Sequence, residues 1–244
     1  MSDKGLGQSV KRKEDFRFIT GKGNYTDDIV LPHQLYAYFL RSPVAHAKLK
    51  SIDTEEAKKS NGVQAVYTGK DTDAFLPCGW ETPTREGTPP MAEPPWPLFA
   101  QEKIRFVGEI IAVVIAETIN QAKDACELIQ FDYEELDAVV SPEKALKNGA
   151  ELIWEDIPNN QCFDWELGEK ETTDNAFKNA EYTTSIEILN NRLAPNAMEP
   201  RSYIGSYDKG KDEYILYTTT QLPHIIRMLV CGVLGLEEQK VRVI

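Results

Sequence analysis

Seven consecutive apolar residues, Ile110-Ile-Ala-Val-Val-Ile-Ala116, constrain the fold of this chain more than any other feature. A β-strand turns alternate side chains to opposite faces, so an unbroken apolar run rich in β-branched residues belongs to a strand covered on both sides. It should lie at the centre of a domain. The run is also the longest of its kind here, about a third of the roughly 20 apolar residues a membrane-spanning helix needs. The opening Met1-Ser-Asp-Lys-Gly-Leu-Gly7 lacks the apolar core of a secretory signal. A cytoplasmic protein without membrane attachment is the expectation.

The flanks of the run are patterned. Thr118 can cap a helix in which Ile119, Ala122, Cys126 and Ile129 recur at helical spacing, and Phe131–Glu135 reads as a returning strand, giving a βαβ unit. Ser141-Pro142 pairs a capping hydroxyl with a first-turn proline, so a short helix should run from there to Asn148-Gly149. Upstream, Leu35–Arg41 and Val63–Tyr67 read as strands, separated by a helix over Glu55–Lys59 that Asp53 or Thr54 caps and Asn61-Gly62 ends. Seven of the 14 prolines fall between Pro77 and Pro97, a density that leaves no room for regular structure. That stretch suits a polyproline ligand or a long surface loop; Trp80, Trp96, Leu98 and Phe99 favour a loop that packs down.

From about residue 150 the chain turns polar and rich in Asn and Glu, which places a domain boundary there. Strands are expected over Tyr182–Leu189, Ser202–Tyr207 and Tyr214–Thr219, with Asp208-Lys209-Gly210 as the turn between the last two. Leu222–Leu234 should be helical, with Pro223 in its first turn and Ile225, Ile226, Leu229, Val230 and Val233 on its apolar side. Val241–Ile244 opens another strand. The reading is an α+β chain: a complete mixed domain over 1–150, then the beginning of an α/β domain over 151–244.

Charge and spacing exclude several functions. A formal charge of −12, from 39 acidic against 27 basic residues, sets the field of the molecule against nucleic acid. Cys78, Cys126, Cys162 and Cys231 form no C-x-x-C pair, and His33, His46 and His224 have no carboxylate at ligand spacing. No metal ligands or catalytic residues are therefore assigned. Gly21-Lys22-Gly23 lacks the Lys-Ser/Thr ending of a P-loop and the third glycine of a dinucleotide fingerprint, which leaves a turn, with a nucleotide site as the weaker alternative. Adjacent Asp27 and Asp28 point opposite ways on extended chain, so a loop cap suits them better than a shared proton. Ser185 and Ser206 have no neighbouring base and no G-x-S-x-G setting. What remains open is chemistry carried by a bound cofactor that neutral side chains and amides would hold.

Several segments together resemble one family. Gly21-Lys-Gly-Asn-Tyr-Thr-Asp-Asp-Ile-Val-Leu-Pro32 and Arg41-Ser-Pro-Val-Ala-His-Ala47 are similar to the opening of the a/b hammerhead domain of the xanthine dehydrogenase and aldehyde oxidase family. Val107–Thr118, Gln121–Ala125 and Phe131–Leu136 resemble its second half. Leu193-Ala-Pro-Asn-Ala-Met-Glu-Pro-Arg201 and Tyr217-Thr-Thr-Thr-Gln-Leu-Pro223 resemble the start of the family's molybdopterin-binding domain. Within the family the likeness leans toward the large chains of carbon monoxide dehydrogenase.

The resemblance implies the N-terminal part of a molybdenum hydroxylase large subunit, which oxidises an aldehyde, a heterocycle or carbon monoxide with water as the oxygen source. It implies molybdopterin as cofactor in the complete assembly, with none retained by this chain alone, and puts the glutamine beside the metal's oxo group on Gln221. It also implies partners: the remainder of the large subunit or a completing chain, and iron–sulfur and FAD subunits. The family's Gly-Gly-Gly-Phe-Gly segment, later pterin-binding loops and catalytic glutamate have no counterparts here, so the chain by itself is expected to be inactive. The alternative is a non-enzymatic scaffold or protein-binding module that keeps the hammerhead fold.

Overall fold

The computed structural model describes Gly7, residues 9–76 and residues 90–244. Most of the proline-rich stretch, with Cys78 and Trp80, lies outside the described residues. The elements run α1 (Asp15–Ile19), β1 (Tyr36–Arg41), β2 (Ala47–Asp53), α2 (Glu55–Lys59), β3 (Val63–Thr68), β4 (Phe75–Leu76), β5 (Trp96–Pro97), β6 (Lys103–Ile104) and β7 (Ile110–Ala116). They continue with α3 (Ile119–Glu127), β8 (Gln130–Glu135), α4 (Pro142–Ala145), α5 (Lys170–Asn179), β9 (Tyr203–Asp208), β10 (Glu213–Thr218), α6 (Pro223–Leu234) and β11 (Val241–Val243). The chain forms two compact units, one of Gln34–Leu193 and one of Ala194–Ile244 with the residues before Gln34.

In the Gln34–Leu193 unit, β7 is central, paired antiparallel with β1 on one side and β3 on the other. Its two faces explain the apolar run. Ala112, Val114 and Ala116 join Ala57, Val66, Ala122, Ala125, Cys126 and Ile129 in a core beneath α2 and α3. Ile111 faces the other way, into a second core with Ala47, Leu49, Ala100 and Ile104. The caps form where the residues place them: the Thr118 hydroxyl accepts from Gln121 N at 3.2 Å and the Ser141 hydroxyl from Lys144 N at 3.4 Å. Gly62 sits at φ +80°, a conformation that strains residues with a Cβ, which favours glycine between α2 and β3.

Four expectations need correction in this unit. β8 does not return beside β7. It pairs antiparallel with β2, in a second sheet of order β6-β2-β8. Both edges of β7 are already filled, and the alternation of Phe131 and Tyr133 with Asp132 and Glu134 suits a sheet with one wet face. β2 itself was missing from the expected elements, because an irregularity between Leu49 and Ser51 breaks its alternation. The proline-rich stretch does close on a regular pair, since Trp96–Pro97 hydrogen-bonds antiparallel to Phe75–Leu76. Finally, Tyr182–Leu189 is not a strand. Residues 182–200 are irregular and exposed throughout, and pair with no described strand. The helix α5 that precedes them, which no periodicity announced, buries none of its residues.

In the other unit β10 is central, antiparallel to β9 and parallel to β11, with α6 as the crossover. Strands β9 and β10, the α6 helix and β11 stand where the sequence expects them. Gly235, at φ +65°, closes α6 with its N–H on Cys231 O. Only Cys231 and Val241 are buried apolar side chains among this unit's described residues, and Ile225, Met228 and Leu234 of α6 are exposed.

Candidate cofactor-binding site

The link from β10 to α6 is the candidate site, the stretch that holds Gln221 and two neighbouring buried hydroxyls without partners. Thr218 ends β10 and is fixed by its N–H on Ile244 O at 3.0 Å, and Thr219 N donates to Ser202 O at 3.3 Å. The Thr220 hydroxyl accepts from Leu222 N at 3.1 Å, turning the chain into the helix. Gln221 stands exposed immediately before the helix cap, Leu222, which contributes no side-chain cap of its own. Pro223 has no N–H to leave unpaired, while the first-turn amides of His224 and Ile225 point out of the helix end with its positive dipole.

Beside this helix end lie two hydroxyl groups that nothing in the chain satisfies. Thr218 is 7% exposed, and the Oγ1 atoms of Thr218 and Thr219 are closed to solvent without a hydrogen-bond partner. Buried polar atoms are nearly always paired, so two such orphans in sequence mark a position where a further polar group belongs. The carboxyl end of a strand in a parallel β-α-β unit is also where open α/β sheets bind ligands. A primary amide, two hydroxyls and a helix N-terminus make a neutral donor set suited to an oxygen-rich anionic group.

The other sequence candidates resolve into structural roles. Gly21 at φ +69° closes α1, and its N–H and that of Lys22 donate to Phe18 O and Arg17 O at 3.2 and 2.9 Å. Gly23 packs against the rings of Phe18 and Tyr25. This is a turn. Asp28 accepts from Tyr25 N at 3.0 Å, the expected loop cap. His46 is buried, with Nδ1 at 2.9 Å from Asp137 O; His224 is exposed on α6. Among the described residues no three His, Cys, Asp or Glu side chains gather as a metal site, and no helix is long and apolar enough to cross a membrane.

Sequence reasoning passed over one buried carboxylate and the arginine beside it. Glu109, at the entry to β7, is 3% exposed and accepts from Arg105 N at 2.5 Å. Burial pushes its carboxyl above the ordinary range, against the pull of Arg105. Arg105 stacks on Trp154, 3.8 Å from the ring centroid, and donates through Nε to Ile153 O at 3.2 Å. These contacts tie the 150s to the β6–β7 turn, and an isolated Glu before an apolar run gave no sign of them.

Two stretches of the chain match known families. The model of the aldehyde oxidase and xanthine dehydrogenase a/b hammerhead domain matches residues 20–137, and that of the molybdopterin cofactor-binding domain matches residues 153–244. The chain belongs to the aldehyde oxidase and xanthine dehydrogenase family. It is 39% identical over 252 residues to the carbon monoxide dehydrogenase large chain of Afipia carboxidovorans, with 98% of this chain and 30% of that one covered. It is 36% identical to the nicotine 6-hydroxylase large subunit of Paenarthrobacter nicotinovorans, covering 98% of this chain and 29% of the relative. Its fold superposes on the Cu,Mo-CO dehydrogenase with a TM-score of 0.85 at 38% identity, over 98% of this chain and 31% of that one. Quinoline 2-oxidoreductase from Pseudomonas putida 86 gives a TM-score of 0.83 at 34% identity, over 97% of this chain and 30% of the other. The chain thus spans about 30% of the length of the relatives it matches.

Proposed function

We propose that this chain is the N-terminal part of a molybdenum hydroxylase large subunit and works only when the rest of that subunit is supplied. The observation that carries the reading is the match of both domain models in order, 20–137 then 153–244, onto about 30% of relatives that are themselves large chains or large subunits. The gap between the two matches supports a domain division near residue 150. The substrate class is an aldehyde, a heterocycle or carbon monoxide, and the electrons leave to iron–sulfur and FAD subunits.

The residues present fit the cofactor that this reading requires. Gln221 would donate its amide N–H to an anionic oxygen of the group, and the Thr218 and Thr219 hydroxyls, now without partners, would complete the cradle. The α6 dipole favours negative charge at the same point. When bound, the molybdenum cofactor supplies oxidation of the substrate with water as the source of the added oxygen. The contribution of this chain is to bind and orient, through groups that neither gain nor lose a proton at neutral pH.

One side of a cradle does not retain a cofactor. The purified chain is therefore expected to contain far less than one molybdenum per molecule and to oxidise no aldehyde, purine or carbon monoxide with an artificial acceptor. Co-expression with the part of the Afipia large chain that it does not match should raise the metal content, and Gln221→Ala should lower it again. Near-stoichiometric molybdenum in the isolated chain would overturn the reading. The well-packed core of Gln34–Leu193 favours a second reading, a scaffold or protein-binding module that keeps the hammerhead fold. A completed assembly that takes up no molybdenum would favour that alternative.

A further inference from the structure

We infer that residues 182–189 are a latent strand that adds, backbone to backbone, to a sheet edge of the polypeptide completing the large subunit. The inference rests on the proposed function and specifies the segment by which the completing chain is held. Tyr182-Thr-Thr-Ser-Ile-Glu-Ile-Leu189 has the composition of a strand: β-branched and aromatic residues, one charge, and neither Pro nor Gly. Tyr182, Thr184, Ile186 and Ile188 fall on one face, and Thr183, Ser185 and Glu187 on the other, with Leu189 ending that second face; through Ile188 this is the alternation of a strand with one buried side. Yet Tyr182, Ile186 and Ile188 are 87%, 83% and 75% exposed. Among the described residues, none makes a backbone hydrogen bond to any residue from 182 to 200.

The segment has the pattern of a strand but forms no ladder with the described sheets, whose edge strands do not take it up. Strand addition supplies what is missing, because main-chain hydrogen bonds give affinity and the alternate side chains give register. The chain's net charge of −12 sets two copies against each other, which argues against self-pairing. The relatives contain more than twice as much further chain as this one spans, and that chain is the occupant to which the inference commits.

The test is hydrogen exchange read by mass spectrometry on the full chain, alone and co-expressed with the unmatched part of the Afipia large chain. The amides of 183–189 should exchange fast in the isolated chain and slow at least about tenfold in the complex, as ladder amides do. Ile188→Asp should weaken the complex roughly tenfold, whereas Glu187→Lys, on the opposite face, should change it less than about twofold. Neither variant should shift the melting of the isolated chain, where both side chains lie in water, so loss of binding cannot be loss of folding. A complex in which these amides still exchange fast overturns the latent strand and leaves the proposed function standing. Protection that instead rises with the concentration of the isolated chain assigns the strand to a second copy and overturns the inference. Failure of any complex to form counts against both readings.

Discussion

The two compact units contain similar elements, sheets with helices against them, yet they differ in how much they enclose. Within Gln34–Leu193, β7 lies between two cores and its apolar run is buried on both faces; in the other unit β10 is equally central, but among its described residues only Cys231 and Val241 are buried apolar groups. The difference teaches that hydrogen-bonded strands and a well-formed helix do not make a finished domain. Burial of apolar surface, about 25 cal/mol per Å², is what offsets the entropy of ordering the chain, and the second unit has little of it.

A matched pair of substitutions gives the largest contrast. Val113→Asp, at a 7% exposed position in β7, leaves an unpaired carboxylate in a packed core and should cost about 3 kcal/mol or more. Ile225→Asp makes the same kind of change at a 44% exposed position on α6 and should cost less than about 1 kcal/mol. Denaturant titration followed by far-UV circular dichroism checks both, and equal losses would break the comparison.

A smaller effect separates the helix starts. Thr118→Ala removes the hydroxyl that holds Gln121 N and should destabilise the chain by about 1 kcal/mol, while Leu222→Ala, at a cap position with no side-chain bond, should do nearly nothing.

The smallest concerns pH. Burial raises the Glu109 carboxyl above its unfolded value near 4.5, so the folded state holds the proton more tightly. Stability from this group is then full below pH 4.5 and lost as pH rises through the raised folded value. Glu109→Gln keeps an acceptor for Arg105 N without the charge. Thermal melts should show the variant favoured at neutral pH and indistinguishable from the parent at pH 4. A variant that is less stable at both pH values would mean that the carboxylate itself is needed.

How far the sequence was legible follows the same division. The run Ile110–Ala116, the caps at Thr118 and Ser141, and the strand–helix–strand ending at Val241 could be read because each is decided by local pattern and meets its expected surroundings. β2 escaped because a shift between Leu49 and Ser51 interrupts its alternation, and β8 was assigned to the wrong sheet because partner choice depends on which edges are already filled. Tyr182–Leu189 has a strand's pattern but pairs with no described strand, and pairing is decided beyond the local sequence. At the candidate site, Gln221 was reached through family resemblance alone. The unpartnered hydroxyls of Thr218 and Thr219 emerge only in three dimensions, since a Thr-Thr-Thr run does not say which oxygens are shut away from water.

The central claim, one self-sufficient unit followed by a region that needs covering, meets its most direct test in limited proteolysis of the monomer with mass spectrometry of the products. The account predicts early cuts between residues 180 and 200, where the chain is exposed and unpaired, and a protected fragment that begins near residue 34 and ends between 160 and 170. A monomer that resists cleavage along its whole length would contradict it, because residues 182–244 would then be complete as they stand.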